Sequence, residues 1–127
     1  MGKYKILVID DDPNILKLSS TILTHEGYDV VQAGSGAEAL DKFRIQAPDM
    51  IIVDLMLPDM NGVEIIQTLK DKHNCSIPVI FLTGIITKEE EASHHLNITI
   101  KEKNHTVLAK PLDRAKLLAM TRNYLQG

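Results

Sequence analysis

Uninterrupted apolar runs, each followed by a segment with helical spacing, restrict this chain to very few architectures. Ile6-Leu7-Val8-Ile9, Met50-Ile51-Ile52-Val53 and Val79-Ile80-Phe81-Leu82 carry no polar residue, the pattern of a strand covered on both faces. Tyr28 to Ala33 predicts a further strand, placed at an edge by Asp29 and Gln32, and Val107-Leu108-Ala109 a short final one. Between them lie helix signals. Asp12 stands as an N-cap before Pro13, with Ile15, Ser19, Ile22 and Glu26 at helical spacing and Gly27 as the stop. Ser35 with Glu38 predicts a capping box opening a helix through Ala39, Leu40 and Phe43, and Pro48 breaks the chain before the next apolar run. Asn61 to Lys72 carries Val63, Ile66 and Leu69 on one face, and Asp113 to Tyr124 carries Ala115, Leu118 and Arg122 on successive turns. Lys88 to His95 predicts a short polar helix, whereas Asn97 to Lys101 alternates as a strand does. Five strands alternating with helices give an α/β domain: a parallel sheet with right-handed crossovers and helices on both faces.

In such a sheet the binding crevice lies beyond the carboxyl ends of the strands. Polar residues fall where the apolar runs stop: Asp10, Asp11 and Asp12 after the first, Asp54 after the third, Thr83 after the fourth and Lys110 after the fifth. Carboxylates gathered at one crevice repel each other unless a cation joins them. Hard oxygen ligands without His or Cys favour magnesium or manganese over zinc. Lys110 supplies a positive charge and Thr83 a hydroxyl, both suited to phosphate oxygens. Together these groups describe phosphoryl transfer with a carboxylate as the nucleophile.

Composition narrows the rest. The 127 residues are expected to form one domain, and their net charge of −3 is spread along the chain, which argues against a nucleic-acid surface. The single Cys75 cannot form an internal disulfide, so a cytoplasmic compartment is expected, and no apolar stretch approaches the roughly 20 residues needed to span a membrane. Met1 to Lys5 leads into the first strand with no secretory pattern. The simplest reading of the five histidines, His94, His95 and His105 among them, is a solvated surface rather than a metal site. Cys75 is read as an unreactive loop thiol, and the glycosylation patterns at Asn97 and Asn104 as chance in a cytosolic chain.

The segments Ile6 to Pro13, Asp54-Leu55-Met56-Leu57-Pro58-Asp59-Met60-Asn61-Gly62, Leu82-Thr83-Gly84 and Lys110-Pro111 together resemble a response-regulator receiver domain of two-component systems. Any one of them is weak; all four, in order and at strand ends, are specific. The resemblance implies a flavodoxin-like doubly wound sheet of five parallel strands in the order 2-1-3-4-5, with residues 1–127 as one receiver domain. It implies that Asp54 accepts a phosphoryl group from a sensor histidine kinase or phosphotransfer protein in a Mg2+- or Mn2+-dependent reaction. Asp11 would bind the metal directly, Asp10 mainly through water, and the Met56 backbone carbonyl would complete the protein ligands beside Asp54. Thr83 and Lys110 would hold the phosphoryl group, Pro111 would follow a cis bond, and Gly62 would lend the preceding loop backbone freedom. The output would be a downstream effector or a covalently linked output domain, with no nucleic acid or membrane bound by the domain itself.

The chain also departs from that pattern. Val107 stands where a switchable aromatic residue is common, and Leu112 where Phe is frequent. Thr83 and Lys110 lie 27 positions apart, more than usual, which points to a reshaped fourth-helix region and a hairpin leading into the fifth strand. Met56 and Ile85, both apolar, occupy the positions best placed to guide a hydrolytic water, so the acyl phosphate is expected to be long-lived. Two rival readings are a degenerate receiver serving as a binding module and a haloacid-dehalogenase-like phosphohydrolase. Against the second, such enzymes place an Asp where Met56 stands.

Overall fold

The computed structural model describes residues 3–84 and 97–126. Its elements are β1 (Lys5–Ile9), α1 (Pro13–His25), β2 (Asp29–Ala33), α2 (Gly36–Gln46), β3 (Met50–Asp54), α3 (Gly62–His73), β4 (Val79–Thr83), β5 (Asn97–Ile100), β6 (Lys103–Ala109) and α4 (Arg114–Gln126). The sheet order is β2-β1-β3-β4-β6-β5. Five strands are parallel and follow the expected order, with β6 in fifth place. The sheet nevertheless has six strands rather than five, because β5 adds to β6 in antiparallel register from Asn97↔Thr106 to Ile100↔Lys103. This is the hairpin that the long Thr83–Lys110 interval foreshadowed, and it makes the last strand longer than Val107 to Ala109. The hairpin turns on Lys101 and Glu102, with φ of 51° and 68°, the two left-handed residues that the type I′ form of a two-residue hairpin turn requires. The expected helix over Lys88 to His95, with Ile85, lies outside the described residues. Among those described, no helix is long and apolar enough to cross a membrane.

The apolar runs are explained by two cores, one on each face of the sheet. Along β1 and β3, Leu7, Ile9, Ile51 and Val53 face α2 and α3, where Ala39, Ile65, Ile66 and Leu69 meet them. Their neighbours Ile6, Val8, Met50 and Ile52 face the opposite way, against Ile22 and Leu23 of α1 and Leu117 and Leu118 of α4. A strand alternates its side chains between faces, so burial on both leaves no position for a polar residue. β2, at the edge, keeps Asp29 and Gln32 exposed. The helix starts follow local chemistry: Asp12 accepts from the Asn14 amide at 2.9 Å, with Pro13 opening α1. At α2 the expected box is only half formed. Ser35 Oγ accepts from the Glu38 amide, but the Glu38 carboxylate turns to the Gly34 amide at 2.6 Å. The full reciprocal box is at α3, between Asn61 and Glu64.

His105 corrects the expectation of a solvated histidine. It lies on β6 with 2% of its surface exposed, its ring edge-on to Phe81 with centroids 5.9 Å apart. Its Nε2 has no hydrogen-bond partner among the described residues. Burial, helped by the positive charges of Lys70 and Lys103, holds its pKa down at about 4 against an ordinary 6.5. Between those values the unfolded chain binds a proton that the folded chain refuses, so acidification favours unfolding. This stabilising contribution is complete above pH 6.5 and is lost as the pH falls to about 4; it amounts to about 3 kcal/mol. Urea midpoints measured across that range should fall more steeply for native protein than for His105→Leu. Parallel slopes would show that His105 does not enter the acid sensitivity.

Candidate functional site

The strand order reverses at β1, which pairs with β2 on one side and β3 on the other. The crevice expected at this switch point is where Asp10, Asp11 and Asp54 gather. The ladders run one rung past the strands and fix the residues just beyond them: the Asp10 amide donates to the Ala33 carbonyl at 3.1 Å, Leu55 to Leu82 at 2.9 Å, and Lys110 to Thr83 at 2.8 Å. The last of these bonds sets the lysine backbone beside the threonine at the end of β4. The peptide bond between Lys110 and Pro111 is cis, as the resemblance implied.

The side chains converge. Lys110 Nζ lies 2.9 Å from Asp10 Oδ2 and 3.2 Å from Asp54 Oδ2. Asp10 is fully buried, Asp54 is 5% exposed and Thr83 1% exposed, while Asp11 opens to solvent. The other oxygens are held by backbone: Asp12 N–H donates to Asp10 Oδ1 at 2.9 Å, and Met56 N–H to Asp54 Oδ1 at 3.2 Å. Burial above all raises the Asp10 pKa, with the Asp54 charge adding to it and the Asp12 amide and Lys110 opposing. Burial would depress the Lys110 ammonium, but Asp10 and Asp54 outweigh it and hold its pKa above the usual lysine value.

The donor set fits a hard divalent cation. One carboxylate oxygen from each of Asp10, Asp11 and Asp54 lies within 4.8 Å of the others. Asp10 Oδ2, wholly buried, faces the Lys110 ammonium at 2.9 Å. Three carboxylates facing one ammonium leave an excess of two negative charges, which a divalent ion would offset.

The loop from β3 to α3 is closed at its base. Gly62 N–H donates to the Leu55 carbonyl at 2.9 Å, and Met56 bridges Asn61 in antiparallel fashion. Gly62 is glycine for want of space rather than for backbone freedom. Its φ is not left-handed, and a Cβ there would stand 2.5 Å from the Asp54 carbonyl oxygen. The Met56 side chain is 65% exposed beside the site, while Ile85 lies outside the described residues. Asp12 is not part of the cluster; it serves as a cap. Val107 is buried, 6% exposed, in the core shared with α3. Cys75 is buried as well, and burial raises its thiol pKa, which fits an unreactive thiol. The residue that sequence reasoning passed over is Asp59, an exposed carboxylate that accepts from the amides of Gly36 and Ala37 at 2.9 and 3.1 Å.

Comparison with known proteins places this arrangement. The family model described as the response regulator receiver domain matches residues 6–122. The chain belongs to that family. The Bacillus subtilis alkaline phosphatase synthesis transcriptional regulatory protein PhoP is 33% identical over 122 residues, covering 96% of this chain and 48% of the relative. The DNA-binding response regulator MtrA of Mycolicibacterium smegmatis is 37% identical over 82 residues, 65% of this chain and 35% of the relative. The receiver thus spans about a third to a half of the curated relatives it matches. Among solved structures, the Vibrio cholerae chemotaxis protein CheY4 superposes with a TM-score of 0.81 at 27% identity, covering 98% of this chain and all of that one. A CheY-like receiver domain from Methanospirillum hungatei gives 0.78 at 27% identity, over 96% and 93% of the two chains. As a receiver, the chain is a component of two-component signal transduction and not a conventional enzyme.

Proposed function

We propose that this receiver takes a phosphoryl group onto Asp54 from the phosphohistidine of a sensor kinase or phosphotransfer protein, and so switches a downstream partner. The observation that carries the reading is the Lys110 ammonium, held 2.9 and 3.2 Å from the buried carboxylates of Asp10 and Asp54. An Asp54 oxygen attacks phosphorus, the new P–O bond forms as the P–N bond to imidazole breaks, and the imidazole leaves with the electron pair. Met56 N–H fixes the carboxylate through its other oxygen, so the nucleophile is oriented before the donor arrives. Lys110 is placed to follow the charge as it passes from carboxylate to phosphoryl oxygens, and Thr83 to donate its hydroxyl to one of them.

Asp11, Asp54 and the Met56 carbonyl would hold Mg2+ or Mn2+ directly, with Asp10 acting through water. The ion would supply charge neutralisation at the phosphoryl oxygens. Retention of every charged group supports an active receiver over a degenerate one. With Val107 buried, the switch rests on the contacts of the phosphoryl group with Thr83 and Lys110. The apolar Met56 leaves little to orient a hydrolytic water, which supports a long-lived acyl phosphate.

We read residues 1–127 as one receiver unit working in the cytoplasm. The names of the relatives support an effector or linked output domain as its target. Incubation with acetyl phosphate and magnesium should add about 80 Da to the native protein, the mass of one phosphoryl group, and none when a chelator removes the metal. Labelling that survives chelation would refute the metal-dependent reading.

A further inference from the structure

Asp59 stands at the tip of the β3–α3 loop yet spends its carboxylate on another element. Oδ1 accepts from Gly36 N–H at 2.9 Å and Oδ2 from Ala37 N–H at 3.1 Å, the first two amides of α2. With Ser35 Oγ on the Glu38 amide, the opening amides of that helix are satisfied by two side chains, one of them from a loop 22 or more residues away. The helix N-terminus favours the negative charge, and these amides, Gly36 first, hold the Asp59 pKa below the ordinary carboxylate value. Met60 completes the contact. A Cβ on Gly36 would lie 2.6 Å from its Sδ and 3.0 Å from its Cβ, so the loop is seated against the helix backbone.

The other end of the same loop is the metal-facing one. Met56 and Asn61 bridge across its base, Gly62 N–H closes onto Leu55, and Asn61 caps α3. A loop sewn at its base and clipped at its tip has little freedom left, and the Met56 carbonyl rides on it.

We infer that Asp59 is a positioning residue for the metal site: by clasping the first turn of α2 it holds the loop that presents the Met56 carbonyl, and so couples metal loading to α2. This rests on the proposed metal site. The coupling is reciprocal by thermodynamic necessity, so a bound cation tightens the clasp by as much as the clasp tightens the cation.

The test is a magnesium titration of native, Asp59→Ala and Asp59→Asn proteins, followed by backbone amide NMR well below the unfolding temperature of all three. Loss of a group that orients a metal ligand should raise the dissociation constant of Asp59→Ala about tenfold. Asp59→Asn, which keeps an oxygen acceptor, should recover part of that loss. Magnesium should also slow hydrogen exchange at the Gly36 and Ala37 amides of native protein, and leave it unchanged in Asp59→Ala. If Asp59→Ala unfolds more easily but binds magnesium as tightly as native protein, Asp59 serves only as a helix cap and the inference falls while the metal site stands. Unchanged Gly36 and Ala37 exchange in native protein that does bind magnesium would likewise remove the coupling. Native protein that binds no magnesium would overturn the site reading and this inference together.

Discussion

Asp54→Asn protein should gain no mass after incubation with acetyl phosphate and magnesium, whereas native protein should gain about 80 Da. The substitution removes charge and nucleophilicity while keeping shape, so the cause of the loss is chemical. An amide oxygen at that position can still accept from Met56 N–H, and Lys110 keeps its 2.9 Å contact with Asp10. The fold should therefore survive, and thermal unfolding of the variant checks that it does. The neighbouring carboxylates are poor substitutes. Asp10 has no exposed surface and already faces the lysine. Asp11 is exposed, but among the described residues it makes no contact with Lys110, so an attack from it would lack the ammonium that follows the charge. Equal labelling of the variant, or a label mapped to Asp11 in native protein, would remove Asp54 from the role of phosphoacceptor.

Gly62→Ala should be the most damaging single-methyl change in this region, costing about 2–3 kcal/mol, at the upper end for an overpacked site. The added carbon would stand 2.5 Å from the Asp54 carbonyl oxygen and 3.2 Å from both its carbonyl carbon and Leu55 Cα. All three are backbone atoms at the end of a buried strand, and none can rotate away. The displaced group belongs to Asp54, the proposed phosphoacceptor, so phosphorylation should slow even where the variant is fully folded. Gly36→Ala is the informative contrast. Its nearest obstacle, at 2.6 Å, is the sulfur of Met60, on a flexible side chain, and its cost should be smaller. Urea unfolding reads both, through a lower midpoint at unchanged slope. A Gly62→Ala midpoint equal to that of native protein would refute the close-approach account of this glycine.

Much of this molecule could be read from the chain because its physics is local. The runs at Ile6, Met50 and Val79 are wholly apolar because α1 and α4 cover one face of the sheet and α2 and α3 the other. Strand ends bring Asp10, Asp54, Thr83 and Lys110 together because parallel strands all finish on one side. What escaped depends on distance or on space. Asp59 looks like a turn residue because its partners, Gly36 and Ala37, precede it by 23 and 22 positions. Gly62 offers the same letter whether a glycine is chosen for its φ or for its missing Cβ. His105 sits among Asn104 and Thr106, and only the inward register of β6 buries it. The Asn61 and Glu64 box escaped as well, although Asn-Gly-Val-Glu before an apolar face carries its local signal.

The hairpin has a practical meaning for anyone building on this domain. β6 runs from Lys103 to Ala109 with Lys110 immediately after it, a straight run of roughly 23 Å at the usual rise per residue. Its first half is gripped by β5 and its second half by β4, overlapping only at Thr106. The Lys101–Glu102 turn and Lys110 are thus at the two ends of one strand that is paired along its whole length. A fluorophore, affinity handle or surface tether fixed at that turn would sit far from the chemistry while remaining rigidly registered to it.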